Sequence, residues 1–132
     1  MRRLPAYTTS WDEGRYFDRW MVVHFLSGLS GGFSNVLFGL TTRNVWLVGL
    51  ALLLLWEVFE RVRGIRECWE NALLDFVVGA AGIAVALLIG ARLSTGWARA
   101  AFGLSSLAFV AGSAVGWLAY RRRRARGAPA TP

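Results

Sequence analysis

Residues 45–56 read VWLVGLALLLLW, a run with no charge and no polar face. A helix on the surface of a water-soluble bundle keeps polar residues along one side at helical period, and this stretch has none to keep. GAAGIAVALLIG, at 79–90, has the same character. Helices that are apolar all round belong in lipid or inside other protein, and crossing a bilayer core takes about 20 such residues. Working outward from these two stretches, four windows reach that length: 20–40, 42–61, 71–90 and 100–120. The expected fold is all-α, a polytopic four-helix transmembrane bundle.

The rest of the chain agrees with that reading. It has 132 residues, of which 55% are hydrophobic and only 17% charged, so it makes one small apolar domain. The connections TTRN, VRGIRECWE and ARLSTGWAR are short, which favours antiparallel neighbours and an up-down-up-down order. Trp46, Trp56, Trp69, Trp97 and Trp117 fall near span ends, where amphipathic rings settle at headgroup depth. All 15 basic residues are Arg. With both termini cytoplasmic, Arg43, Arg92 and Arg99 are the only ones left outside, a strong bias under the positive-inside rule.

The first 19 residues read as a cytoplasmic segment, with Ser10 and Glu13 forming a capping box for a short interfacial helix that leads into the first span. Charged and turn residues stand where a signal peptide needs its apolar core, so the first helix is expected to act as an uncleaved anchor. Residues 121–132 lack an apolar stripe and read as a disordered basic tail. Cys68 is the single cysteine, which excludes an internal disulfide and places a reduced thiol in the cytoplasmic loop.

Glycines suggest where helices meet. Gly28 in the first span, Gly79 and Gly82 in the third, and the GxxxG pair Gly112 and Gly116 in the fourth all permit close approach. Packing within the bundle is the favoured role of the last pair, over a homodimer seam.

Five carboxylates lie in WEVFERVRGIRECWENALLDF, residues 56–76, between two apolar runs. Glu57 and Glu60 share a face at the cytoplasmic end of the second span. Asn71, Asp75, Gly79 and Gly82 share a stripe on the third, at i, i+4, i+8 and i+11. Asp18 sits where the first span enters, with His24 about 9 Å deeper at 1.5 Å per residue. His24, Glu57, Glu60, Asn71 and Asp75 therefore reach one membrane depth from three helices. Ionisable groups inside a span are costly and point to function, so His24, Glu57 and Asp75 are the candidate catalytic groups. Asp18, Glu60, Asn71, Arg61, Arg63 and Arg66 are the candidate binding groups. Taken singly, Glu60, Glu67 and Glu70 read as interfacial or loop charges beside the arginines. Compensation for the acids is left open among protons, the loop arginines, a divalent metal and a cationic ligand group. The Glu-x-x-His spacing of di-iron bundles is missing, which weighs against the metal.

Three motifs, DRWMVVHFLSG (Asp18, His24, Gly28), WEVFE (Glu57, Glu60) and ENALLDFVVGAAG (Asn71, Asp75, Gly79, Gly82), resemble the VanZ-like group of small bacterial membrane proteins. The resemblance covers the first three spans. It departs from the family at the loop after the acid motif, which is brief here and offers Glu67 or Glu70 where the family has another Asp. The resemblance implies a multi-pass protein of the bacterial inner membrane with a polar site on its cytoplasmic side. It also implies a link to glycopeptide-antibiotic resistance, without naming a reaction.

HExxH, CxxC and phosphate-cradling glycine loops are all absent from the chain. The net charge of +7 and the run RRRRAR raise nucleic-acid binding, but arginines just cytoplasmic of a last span serve as a topology anchor that meets anionic lipid. Two functions remain. One is a site that binds or processes a lipid or envelope-precursor headgroup, with arginines on phosphate and acids on a cation. The other is a non-enzymatic accessory subunit of a larger membrane complex.

Overall fold

Asp18 starts the first helix. Its backbone is extended, with φ −149° and ψ −176°, and its carboxylate accepts from the N–H groups of Trp20 and Met21, two of the donors that a helix N-terminus leaves open. The computed structural model describes residues 5–9, 11, 14–63, 65 and 68–126, with only the backbone of Arg124, and arranges them in five helices. They are α1 (Arg19–Phe33), α2 (Asn35–Phe38), α3 (Thr42–Val62), α4 (Trp69–Gly90) and α5 (Thr95–Ala125).

Local chemistry sets most of the boundaries. At Ser34 the helix tightens, with its N–H reaching both Ser30 O and Gly31 O, and α2 continues for one turn. Gly39 then takes the left-handed conformation, φ +61°, that stops a helix without a side-chain clash. Thr41 restarts the chain as the cap of α3, its hydroxyl accepting from Asn44 N at 3.2 Å.

Three stretches are long and apolar enough to cross a membrane: Arg19–Phe38, Trp69–Gly90 and Thr95–Arg123. The protein is therefore an all-helical membrane protein. The expected second span, α3, has 21 residues but carries Arg43, Glu57, Glu60 and Arg61 among them.

Two expected boundaries shift. The fourth span was placed at 100–120, whereas α5 starts at Thr95 and runs to Ala125, so the first residues of the basic tail are helical. Arginine is a good helix former, and no breaker occurs before Gly127. At about 1.5 Å per residue its 31 residues exceed the roughly 30 Å hydrocarbon core, and the arginines extend past it.

The expected capping box of Ser10 and Glu13 lies outside the described residues, as do Arg66, Glu67 and the end of the tail from Gly127 onward. The flanking residues form a closed loop rather than a helix, in which Arg15 N donates to Pro5 O (2.8 Å) and Thr8 N to Phe17 O (2.9 Å).

Glycine decides which helices meet. A Cβ on Gly28 would run into the carbonyl of Gly79, and one on Gly82 into the carbonyl of Phe25, so α1 and α4 touch backbone to backbone. Gly32, four residues after Gly28, extends this contact to Ile83 and Ala86. On α3, Leu53 fills the space over Gly79, and Gly49 faces Ile83. Val45, Leu53 and Ile83 form the buried apolar core between α3 and α4.

Gly112 and Gly116 turn inward as expected, against Val23 and against the rings of Trp20 and Trp11. These pairings run in the same direction along α1 and α4, and in opposite directions for α3 with α4 and for α5 with α1. Of the other helices, α5 packs on α1 and α2 among the described residues, apart from isolated contacts, and α3 and α5 leave a cleft between them over α1.

Candidate functional site

The cleft ends in a polar cluster. Asp18 and Asp75 are fully buried, Asn71 is 1% exposed, and His24 and Glu60 are also buried. The stripe read on α4 is confirmed, since Asn71, Asp75, Gly79 and Gly82 all face inward. Asn71 connects the two aspartates: its Nδ2 donates to Asp18 Oδ2 and to Asp75 Oδ2, at 3.3 Å each. Asp75 Oδ2 then stands 3.8 Å from His24 Nε2. One oxygen each of Glu57 and Glu60 and a ring nitrogen of His24 also lie within 4.8 Å of one another.

Helical spacing explains the convergence. Glu57 and Glu60 are three residues apart on α3, and i, i+3 side chains are neighbours on a helix surface. Asn71 and Asp75 are four apart on α4. His24 reaches both pairs because the glycine contact of α1 with α4 removes the side-chain layer that normally separates helices. The arrangement can hold a cation or relay protons between carboxylates and an imidazole.

The candidates are not all placed alike. Asp18 holds the fold together, because its carboxylate also accepts from Gly14 N at 3.1 Å and thereby ties the N-terminal loop to α1 and, through Asn71, to α4. Arg61 and Arg63 are exposed at the end of α3, with the Arg63 guanidinium over the Phe59 ring at 5.8 Å, so they stand at the rim. Glu70 is paired at 2.9 Å with Arg15 of the N-terminal loop.

The sequence reading missed the cavity. It has a volume of about 470 Å³ and lies between α1, α3 and α5, with His24 and Trp56 toward one end and Ser34 and Phe38 toward the other. Val48 and Leu52 of α3 and Phe102 and Phe109 of α5 make its apolar sides, and Ser27 and Ser30 of α1 belong to its floor. The available signal was the row His24, Ser27, Ser30/Gly31, Ser34 on α1, small or polar groups at helical spacing that leave room beside a helix. Ser30 and Ser106 bridge α1 to α5 through their hydroxyls at 2.6 Å.

Compared with known proteins, the chain matches no family model, no curated protein and no solved structure.

Proposed function

We propose that this is a four-span protein of the bacterial inner membrane, with both termini cytoplasmic, that takes up a lipid-like amphiphile. The polar head lies at His24, Glu57, Glu60 and Asp75, and the apolar part lies in the cavity. The observation that carries this reading is that His24 belongs at once to the wall of an apolar cavity and to the buried acidic cluster. An apolar pocket with a few convergent polar groups is what a small-molecule site requires. Acids suit a cation or an amine-bearing head, while Arg61 and Arg63 at the rim suit the phosphate of a lipid or envelope precursor. Kinship with the VanZ-like group is part of the proposal, supported by the way its three motifs meet at this one cluster.

Mass spectrometry of protein released gently from its native membrane tests the proposal. Wild type is expected to carry a bound amphiphile, and Val48→Trp, which fills the cavity from α3, to lose it with the fold intact. Wild type without a bound amphiphile, or equal retention by Val48→Trp, refutes the reading.

A second reading, the accessory subunit, draws on α5. Only 11% of its apolar stretch is buried, against 33% for Trp69–Gly90, so this helix has most surface left for a partner. Co-purification of one fixed partner, lost on placing Trp at exposed Leu107, distinguishes this reading from the first.

A further inference from the structure

We infer that His24, Glu57 and Glu60 bind one first-row divalent cation, of the class of Zn²⁺, Mn²⁺ or Fe²⁺. The inference concerns the cluster alone and does not require the amphiphile.

The donor atoms are already gathered. An ion that binds imidazole nitrogen and carboxylate oxygen at about 2.0–2.2 Å holds adjacent ligand atoms roughly 3.0–3.6 Å apart. Spacings within 4.8 Å therefore need to close by at most about 1–2 Å, the scale of a side-chain rotation. The donor types select the metal class: an imidazole beside two carboxylates suits Zn²⁺, Mn²⁺ or Fe²⁺, whereas Mg²⁺ and Ca²⁺ sites are built from oxygen alone. Carboxylates inside a span are costly, and a divalent cation is a group that offsets part of that cost.

The surroundings match those of a metal-binding histidine. Such a histidine is normally oriented by a carboxylate that is itself held by a further hydrogen bond. Asp75 is fully buried 3.8 Å from His24 Nε2, near enough to become that carboxylate on a small side-chain shift, and Asn71 Nδ2 donates to it. Asn71 Oδ1 is buried and has no hydrogen-bond partner among the described residues, which leaves an acceptor beside the cluster. Because His24 also lines the cavity, the ion would stand at its wall with three protein ligands and a free position, the arrangement of a catalytic rather than a structural site.

The test is a Co²⁺ titration of the metal-stripped protein in detergent, followed by its optical spectrum, with elemental analysis of the protein as purified. One ion per chain is expected. Glu57→Gln and His24→Ala should each weaken Co²⁺ by more than about 100-fold, and Asp75→Asn by about 10–100-fold, as loss of an orienting partner does. Gly103→Ala, at a position with open space away from the cavity, serves as the folded control. Mg²⁺ in equal excess should not displace Co²⁺. Absence of stoichiometric binding by wild type overturns the inference, and so does binding unchanged in Glu57→Gln and His24→Ala. If a variant fails to fold, the wild-type titration still decides. Native mass spectrometry of the same sample separates the two proposals: metal without amphiphile refutes only the proposed function, and amphiphile without metal refutes only this inference.

Discussion

His24 Nε2 stands 3.8 Å from Asp75 Oδ2, and the two residues come from α1 and α4, which touch through Gly28, Gly79 and Gly82. The glycines make the pair. A side-chain layer between these helices would hold the imidazole and the carboxylate well beyond each other's reach.

Gly28→Ala is therefore expected to separate them. Its Cβ meets the Gly79 carbonyl, which is backbone and cannot swing away, so the helices must part at a cost of about 1–3 kcal/mol. Gly31→Ala, three residues on, meets nothing and should leave stability unchanged. Thermal unfolding of the two variants in one detergent measures the contrast, and equal melting temperatures would refute the backbone contact.

Asn71 is the only link in the chain from Asp18 to His24 that carries no charge. Asn71→Leu removes two hydrogen bonds to buried carboxylates, each worth about 1.5–3 kcal/mol, and leaves those carboxylates facing each other. The expected result is protein that no longer survives purification. Asn71→Asp should do no better, because it adds a third acid. Recovery of either variant at wild-type yield contradicts the relay.

Asp18 tests the distinction between holding the fold and binding a ligand. Asp18→Ala loses the cap, at about 1–2 kcal/mol, together with the tie to Gly14. Asp18→Asn keeps an oxygen for the Trp20 and Met21 N–H groups but loses the acceptor for Gly14 and Asn71, so it should retain the cap and all of the Co²⁺ affinity. A collapse of metal binding in a well-folded Asp18→Asn would make Asp18 part of the site.

The N-terminal loop is held from the far end of the chain. Arg123 Nη2 donates to Trp11 O at 2.8 Å, and Trp11 packs edge-on against Trp20 at 5.3 Å, above Gly116. Arg123→Ala should speed hydrogen exchange at Thr8 and Arg15–Phe17, whereas Arg122→Ala should not. Equal exchange in the two variants removes Arg123 from this role.

Cys68 reports the orientation without further engineering. As the only thiol, it should react with a membrane-permeant maleimide in intact cells and resist an impermeant one, and inverted vesicles should reverse the second result. Labelling of intact cells by the impermeant reagent would place this loop outside and invert the topology.

The sequence by itself determined the helices and the candidate polar groups, because both follow from local rules. Uninterrupted apolar runs require lipid or protein around them. Asn71, Asp75, Gly79 and Gly82 were legible as one stripe because helical period is a property of the chain alone. Around Ser10 and Glu13, which lie outside the described residues, the backbone closes on itself through Pro5, Thr8, Arg15 and Phe17, contacts that no local rule reads from the sequence.

Only the tertiary structure decided what each polar residue does. Asp18 and Asp75 look alike in sequence, yet the first is consumed by capping α1 while the second faces His24. Arg61 and Arg63 look like partners for Glu57 and Glu60, but the end of α3 turns them to the surface. The cavity is the clearest case, because it exists where α3 and α5 fail to meet. A gap between helices distant in sequence belongs to no single stretch, and its position depends on how closely glycine lets their common neighbour α1 approach α4.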